Sequence, residues 1–213
     1  MAAGRGLRMM PLTNEIPKAM APFNGSTIIS DGIKKIKNFI DHIYITVGYK
    51  GPLLAEHVIE IGVDAVFNTS GKGNAWWIYN TLMKNINEPV LVLTCDNIIE
   101  LDYKKILNEY HDLNQPACMV IPVKPIDGLE GDYIFEKNNI VYKLDRKNKA
   151  SYYCSGIQVL NPYKINKQTS KVDDFNDVWK QLIDKEQLYS GNNCPNKWFT
   201  VDTVAQLNKL NKR

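Results

Sequence analysis

The stretch A-A-G-R-G-L-R-M-M-P-L-T-N-E-I-P-K, Ala2 to Lys18, puts a glycine loop, an arginine and a lysine into one short run. Gly4 and Gly6 let the backbone turn through positive φ and come close to a bulky anion, so that successive N–H groups can point at phosphate oxygens. Arg8 offers a planar fork for two phosphate oxygens, and Lys18 a compact point charge. Pro11 and Pro17 stiffen the chain between them, and the Thr13 hydroxyl can close a turn. A stiff, cationic, amide-rich loop of this kind suits a triphosphate.

The run resembles the signature of the sugar-1-phosphate nucleotidylyltransferases, A-A-G-x-G-x-R-x-x-P-L-T-x-x-x-P-K, at every fixed position. A lone G-x-G carries little weight, and it is agreement along the whole run that separates a phosphate loop from a surface turn. Molybdopterin guanylyltransferases share G-x-G-x-R but lack the rest, so Pro11, Leu12, Thr13, Pro17 and Lys18 favour the sugar-phosphate branch. The resemblance implies an α/β, Rossmann-like fold of three α/β/α layers around a mostly parallel sheet, with a small β-hairpin substrate region. It implies nucleotide contacts from Ala2, Ala3, Gly4, Arg5 and Gly6, contacts to the β- and γ-phosphates from Arg8, and contacts to the α-phosphate and acceptor from Lys18. The family also carries an apolar strand of about half a dozen residues before the loop. Here Met1 precedes Ala2, so that first strand is expected to be truncated.

Composition sets the frame. A chain of 213 residues fits a single domain over 1–213 and is long enough to bury a core. Its net charge of +3, from 26 cations and 23 anions, is too small to argue for nucleic acid. Cys95, Cys118, Cys154 and Cys194 form no C-x-x-C pair and read as reduced thiols. No apolar run reaches the roughly 18 residues that cross a bilayer, and no signal-peptide pattern opens the chain, so a cytoplasmic protein is expected.

Beyond Lys18, Asn24-Gly25 marks a turn and Ser26 a helix N-cap, followed by Ile28, Ile29, Ile33, Ile36 and Ile40 at helical spacing. Lys34, Lys35 and Lys37 form its solvated face. Strands over 43–47 and 65–68 with a helix over 52–61 between them give the alternation of a parallel sheet with helices on both faces. Thr69 to Asn74 is a second glycine-rich loop, leading into a helix over 75–84. Such a loop can hold an anion or face a base, or simply be a capped turn with Trp76 and Trp77 packing behind it. The run 89–94 ends in Cys95-Asp96-Asn97 at the strand end where ligands bind in open parallel sheets. A carboxylate there can hold Mg2+ against phosphates, or cap a turn. A helix over 103–113, a strand over 117–123, a hairpin of 133–136 and 140–144, a strand over 152–160, a helix over 175–187 and a last helix over 204–210 complete the reading.

The resemblance extends through these segments. Gly73-Asn74-Ala75 stands where the family has a G-T-A-like loop that reads the nucleobase. Cys95-Asp96 stands where it has G-D, and the run from Lys197 to Thr203 resembles its W-x-D-V-G-T segment, although Val201-Asp202-Thr203 lacks the glycine, so Asp96 and Asp202 are the implied ligands of Mg2+, with Mn2+ as a substitute. The plainer reading of Asp202 is a helix N-cap. Asp145 and Arg146 take the place of an acidic-basic pair, and Gly156 that of an exposed strand glycine, which together line the acceptor pocket. The implied reaction moves a nucleotidyl group from a nucleoside triphosphate to a sugar 1-phosphate, releasing pyrophosphate. The compact length resembles members whose acceptor is N-acetylmuramate 1-phosphate or phosphocholine, and the base stays open among uracil, cytosine, thymine and guanine. The altered G-N-A, C-D and V-D-T sites also admit a nucleotide- or partner-binding protein that has lost catalysis on the same fold. A dinucleotide dehydrogenase is disfavoured, because the loop lacks the third glycine of G-x-G-x-x-G.

Overall fold

A computed structural model describes residues 1–126 and 131–211. In chain order these form α1 (Leu12–Glu15), β1 (Pro22–Phe23), β2 (Ser26–Thr27), α2 (Ile28–Ile36), β3 (Tyr44–Val47), α3 (Gly51–Glu60), β4 (Ala65–Asn68), α4 (Trp76–Asn80), β5 (Val90–Val92) and β6 (Asn97–Glu100). There follow α5 (Tyr103–Asp112), β7 (Cys118–Val123), β8 (Asp132–Lys137), β9 (Ile140–Asp145), β10 (Tyr153–Leu160), α6 (Pro162–Gln168), α7 (Phe175–Ile183), β11 (Leu188–Ser190), β12 (Lys197–Thr200) and α8 (Val204–Asn211). Among the described residues no helix is long and apolar enough to cross a membrane. The chain is α/β, and its packing divides it into two compact units. The first is Met1–Lys72, Thr94–Ile98 and Phe199–Arg213, and the second is Gly73–Leu93 and Ile99–Trp198.

In the first unit β3 and β4 pair in parallel, Tyr44 opposite Ala65 through Val47 opposite Asn68, with α3 as the crossover. The isoleucine spacing of α2 turns Ile29 and Ile33 onto Ile43, Ile45, Val47, Leu54 and Val58 in a buried cluster. Ser26 does not cap this helix. It pairs with Phe23 across the Asn24-Gly25 turn, whose positive φ at both positions suits a tight hairpin, and Thr27 caps instead by accepting the Ser30 N–H at 3.2 Å. Where the first strand was expected to be cut short, Met1 to Ala3 are hydrogen-bonded on two sides. Ala2 bridges Val47 in parallel and donates to Thr46 O at 3.0 Å, while Cys95 N–H donates to Met1 O at 2.9 Å.

The second unit is built on a mixed sheet of six strands among the described residues, in the order β5-β10-β7-β11-β9-β8. The expected prevalence of parallel pairing is limited here to β11 beside β7. β10 runs antiparallel to β5 and β7. The hairpin forms as expected, β8 with β9 around Asn138-Asn139, both at positive φ. Tyr110, Met119, Ile121, Val123 and Ile157 form the core beneath it. The helix expected over 75–84 breaks at Thr81, whose hydroxyl donates to Trp77 O at 2.7 Å and accepts Met83 N–H at 3.2 Å, restarting the chain as a short 3-10 turn. The helix expected to reach 187 ends at Ile183, and α6 and β11 lay in segments too short for periodicity to reveal.

Candidate active site

The glycine loop is seated by backbone contacts. Ala3 O accepts Tyr49 N–H at 3.1 Å, at a point where Gly48 follows the end of β3. A Cβ on Gly48 would lie 2.6 Å from Ala3 O, so a side chain there would push the loop off the strand end. Gly6 sits at φ 63°, and a Cβ on it would lie 2.9 Å from Lys18 Cβ. Thr13 closes the turn as expected, its hydroxyl donating to Gly6 O at 3.0 Å, and Tyr49 braces it from outside by donating its hydroxyl to Thr13 O at 2.9 Å. The Arg5 guanidinium stands over the Tyr49 ring, 5.5 Å from its centroid. From the sequence Gly48 reads only as the close of a buried strand, and neither it nor Tyr49 has a role at the loop there. The signal available there was a glycine closing a buried strand, with an aromatic after it. Gly48→Ala is expected to lower stability by about 1–3 kcal/mol, visible as a lower urea midpoint. An unchanged midpoint would mean the loop is not held at this contact.

Lys18, whose side chain passes Gly6, ends in a charge cluster. Lys18 Nζ donates to Asp96 Oδ2 at 2.6 Å and to Asp202 Oδ1 at 3.0 Å, and Arg8 Nη2 reaches the same Asp202 oxygen at 2.9 Å. The Lys18 side chain is 11% exposed and that of Arg8 72%. Burial disfavours the charged form of Lys18, but the Asp96 charge and the hydrogen bonds it donates to both carboxylates outweigh it and raise its pKa. Burial likewise works against ionised Asp96, and the Lys18 ammonium outweighs it, holding the carboxyl below its ordinary range. The neighbouring Cys95 thiol is pushed up to about 12, chiefly by burial, and is neutral.

Asp202 is not the helix cap. Thr203 caps α8, its hydroxyl accepting Gln206 N–H at 3.2 Å while Gln206 Oε1 accepts the N–H groups of Thr203 at 2.9 Å and Asp202 at 2.7 Å. This is a capping box, readable in the sequence as Thr203-x-x-Gln206, and it leaves the Asp202 carboxylate to Lys18 and Arg8. Among the described residues no group of three or more His, Cys, Asp or Glu side chains could hold a metal ion, so a cation here would have two protein carboxylates.

The remaining expected residues lie in the second unit. Gly73 packs against Asp173 so closely that a Cβ would sit 2.1 Å from its carbonyl oxygen. Ala75 N–H donates to that same oxygen at 2.9 Å, and Asn74 Oδ1 accepts Phe175 N–H at 2.8 Å. The Asn74 side chain is thus committed to the start of α7. Arg146 grips Asp132 with two hydrogen bonds, at 3.2 and 3.1 Å. Asp145 accepts from Lys143 Nζ at 2.5 Å and from Lys147 N–H at 2.8 Å, closing the hairpin end, and its pKa falls through these bonds, that of Lys143 foremost. Gly156, at φ 81°, lies in a bulge of β10 between Cys154 and Gln158 where a Cβ would meet nothing.

The chain resembles known proteins over its whole length. It is 27% identical to a glucose-1-phosphate adenylyltransferase of Vibrio parahaemolyticus, covering 99% of this chain and 64% of that protein. It is 24% identical to a mannose-1-phosphate guanyltransferase of Saccharomyces cerevisiae, covering 100% of this chain and 65% of that protein. The chain therefore spans just under two thirds of these relatives. Its fold matches the inositol-1-phosphate CTP transferase of T. maritima (TM-score 0.77, 19% identity, 99% of this chain and 91% of that one). It also matches the CTP:phosphocholine cytidylyltransferase of Streptococcus pneumoniae (TM-score 0.74, 23% identity, 99% and 95%). With the family model for nucleotidyl transferases matching residues 1–209 and the loop, lysine and carboxylates of one site in place, the chain belongs to the nucleotidyl transferase family.

Proposed function

We propose that the protein transfers a nucleotidyl group from a nucleoside triphosphate to a sugar 1-phosphate, or a similar small phosphorylated acceptor, with release of pyrophosphate. The observation that carries this reading is Lys18 held between Asp96 and Asp202 beside the glycine loop and Arg8. An oxygen of the acceptor phosphate attacks the α-phosphorus, the bond to the bridging oxygen breaks, and its electron pair leaves with pyrophosphate. The attacking group is already an anion, so no general base is needed, and the work is alignment and charge neutralisation. The loop amides and the Arg8 fork hold the β- and γ-phosphates. Lys18 binds the α-phosphate and draws the acceptor phosphate to it. Base contacts fall to the backbone of Gly73 and Asn74, since the Asn74 side chain is spent on Phe175, and buried Ala75 donates its N–H to Asp173 and accepts Ile78 N–H at its carbonyl. Acceptor contacts fall to Gly156 and the Asp145-Arg146 corner. This reading puts the protein in the cytoplasm, with its substrates.

Asp96 and Asp202 fit a divalent cation. Their oxygens converge on a single point, now taken by Lys18 Nζ, and Mg2+ commonly takes one or two carboxylates and fills its shell with phosphate oxygens and water. Mg2+ or Mn2+ held there supplies charge neutralisation at the transferring phosphate. The test is pyrophosphate release from ATP, CTP, GTP, UTP and dTTP against glucose, mannose, N-acetylglucosamine, N-acetylmuramate and inositol 1-phosphates and phosphocholine. Release is expected for a specific pair, only when both substrates are present, and not in excess chelator. Nucleotide binding without release for any pair would overturn the catalytic reading in favour of a binding protein.

A further inference from the structure

We propose that Lys18 is the built-in counter-ion of the Asp96–Asp202 pair and competes with a divalent cation for it, so that the cation binds well only once the ammonium has moved to a phosphate. The inference rests on the reading above, in which the pair holds a metal. Lys18 Nζ lies 2.6 Å from Asp96 Oδ2 and 3.0 Å from Asp202 Oδ1, so one ammonium engages both carboxylates. Those carboxylate side chains are 24% and 16% exposed, a setting in which two like charges need a cation between them. An ammonium within 3 Å of the same two oxygens and a divalent ion bound to them repel each other at short range. The Lys18 stem is held where it starts, since its Cβ and Cδ flank Gly6, but the terminal ammonium is on a flexible chain.

The arrangement is unequal in a way that can be used. Asp202 Oδ1 also has Arg8 at 2.9 Å, whereas Lys18 is the ion-pair partner found for Asp96 among the described residues. Loss of Lys18 therefore frees Asp96 more than Asp202. Drawing Lys18 onto a triphosphate raises cation affinity, and by reciprocity a bound cation raises affinity for the triphosphate.

The test is Mn2+ binding to the protein without nucleotide, read from the electron paramagnetic resonance signal of free Mn2+. Lys18→Met is expected to bind Mn2+ at least about tenfold more tightly than the wild type, and Lys18→Met with Asp96→Asn to lose that gain. Equal or weaker binding by Lys18→Met overturns the inference, as does a gain that survives Asp96→Asn. Should Lys18→Met fail to fold by circular dichroism, Lys18→Gln removes the same charge while keeping a hydrogen-bond donor, and the same outcomes decide. The substrate screen fails separately. No pyrophosphate release with tighter Mn2+ binding by Lys18→Met sinks the transferase reading alone, and release with unchanged Mn2+ binding sinks the counter-ion alone.

Discussion

Asp96→Asn is expected to slow pyrophosphate release by about 10²–10³-fold at saturating substrate, the scale of losing one preorganised electrostatic group. Asparagine keeps the shape and removes the charge. The structural cost is smaller, because Lys18 keeps Asp202 at 3.0 Å and is not left without a partner. A fully broken buried pair costs about 3–5 kcal/mol, but with one partner retained and both side chains partly wet the expected loss is nearer 1–2 kcal/mol. The pH dependence separates these effects. Asp96 is depressed when folded, so its contribution is present above the ordinary carboxylate range near pH 4 and disappears as pH falls through the lower folded value. Lys18 is raised, so its contribution is present below its ordinary value near pH 10.4 and disappears as pH rises through the higher folded one. The urea-midpoint gap between wild type and Asp96→Asn should be flat through neutrality and close in acid. A rate within twofold of wild type would remove Asp96 from the reaction.

Lys18→Ala and Arg8→Ala are expected to fail in different parameters. In the proposed reaction the Lys18 charge matters most as the α-phosphate reorganises, so its loss should lower kcat by about 10²–10³-fold. It also leaves Asp96 and Asp202 without their shared cation, so the urea midpoint should fall. The Arg8 side chain is 72% exposed, and its contact with Asp202 is a surface pair worth at most about 1 kcal/mol, so the fold should hardly change. In the proposed reaction it works on the leaving phosphates, where a lost charge-assisted contact of about 1.5–3 kcal/mol should raise the triphosphate KM by roughly 10–100-fold. Steady-state kinetics on both variants separates the two. Effects confined to KM at both positions would contradict these roles.

Features whose cause lies within a few residues were legible from the chain alone. The isoleucine spacing of α2, the Asn138-Asn139 hairpin and the glycine loop closed by Thr13 are of this kind, because helix periodicity and turn chemistry act over one or two turns. The family resemblance also named Lys18, Asp96 and Asp202 one by one. That a single ammonium joins both carboxylates was decided by folding, since the partners lie 78 and 184 positions from Lys18. The same holds for the seat of the glycine loop on Gly48 and for Asn74, whose side chain serves a helix start 101 positions away. The discontinuity of the first unit, and a sheet in which β10 runs antiparallel to β5 and β7, likewise depend on which distant segments pack together. Sequence pattern and the family resemblance marked which residues are candidates to bind phosphate. Tertiary packing decided which of them still had a free hand, because a polar group taken out of water must find a partner and takes the one the fold brings to it.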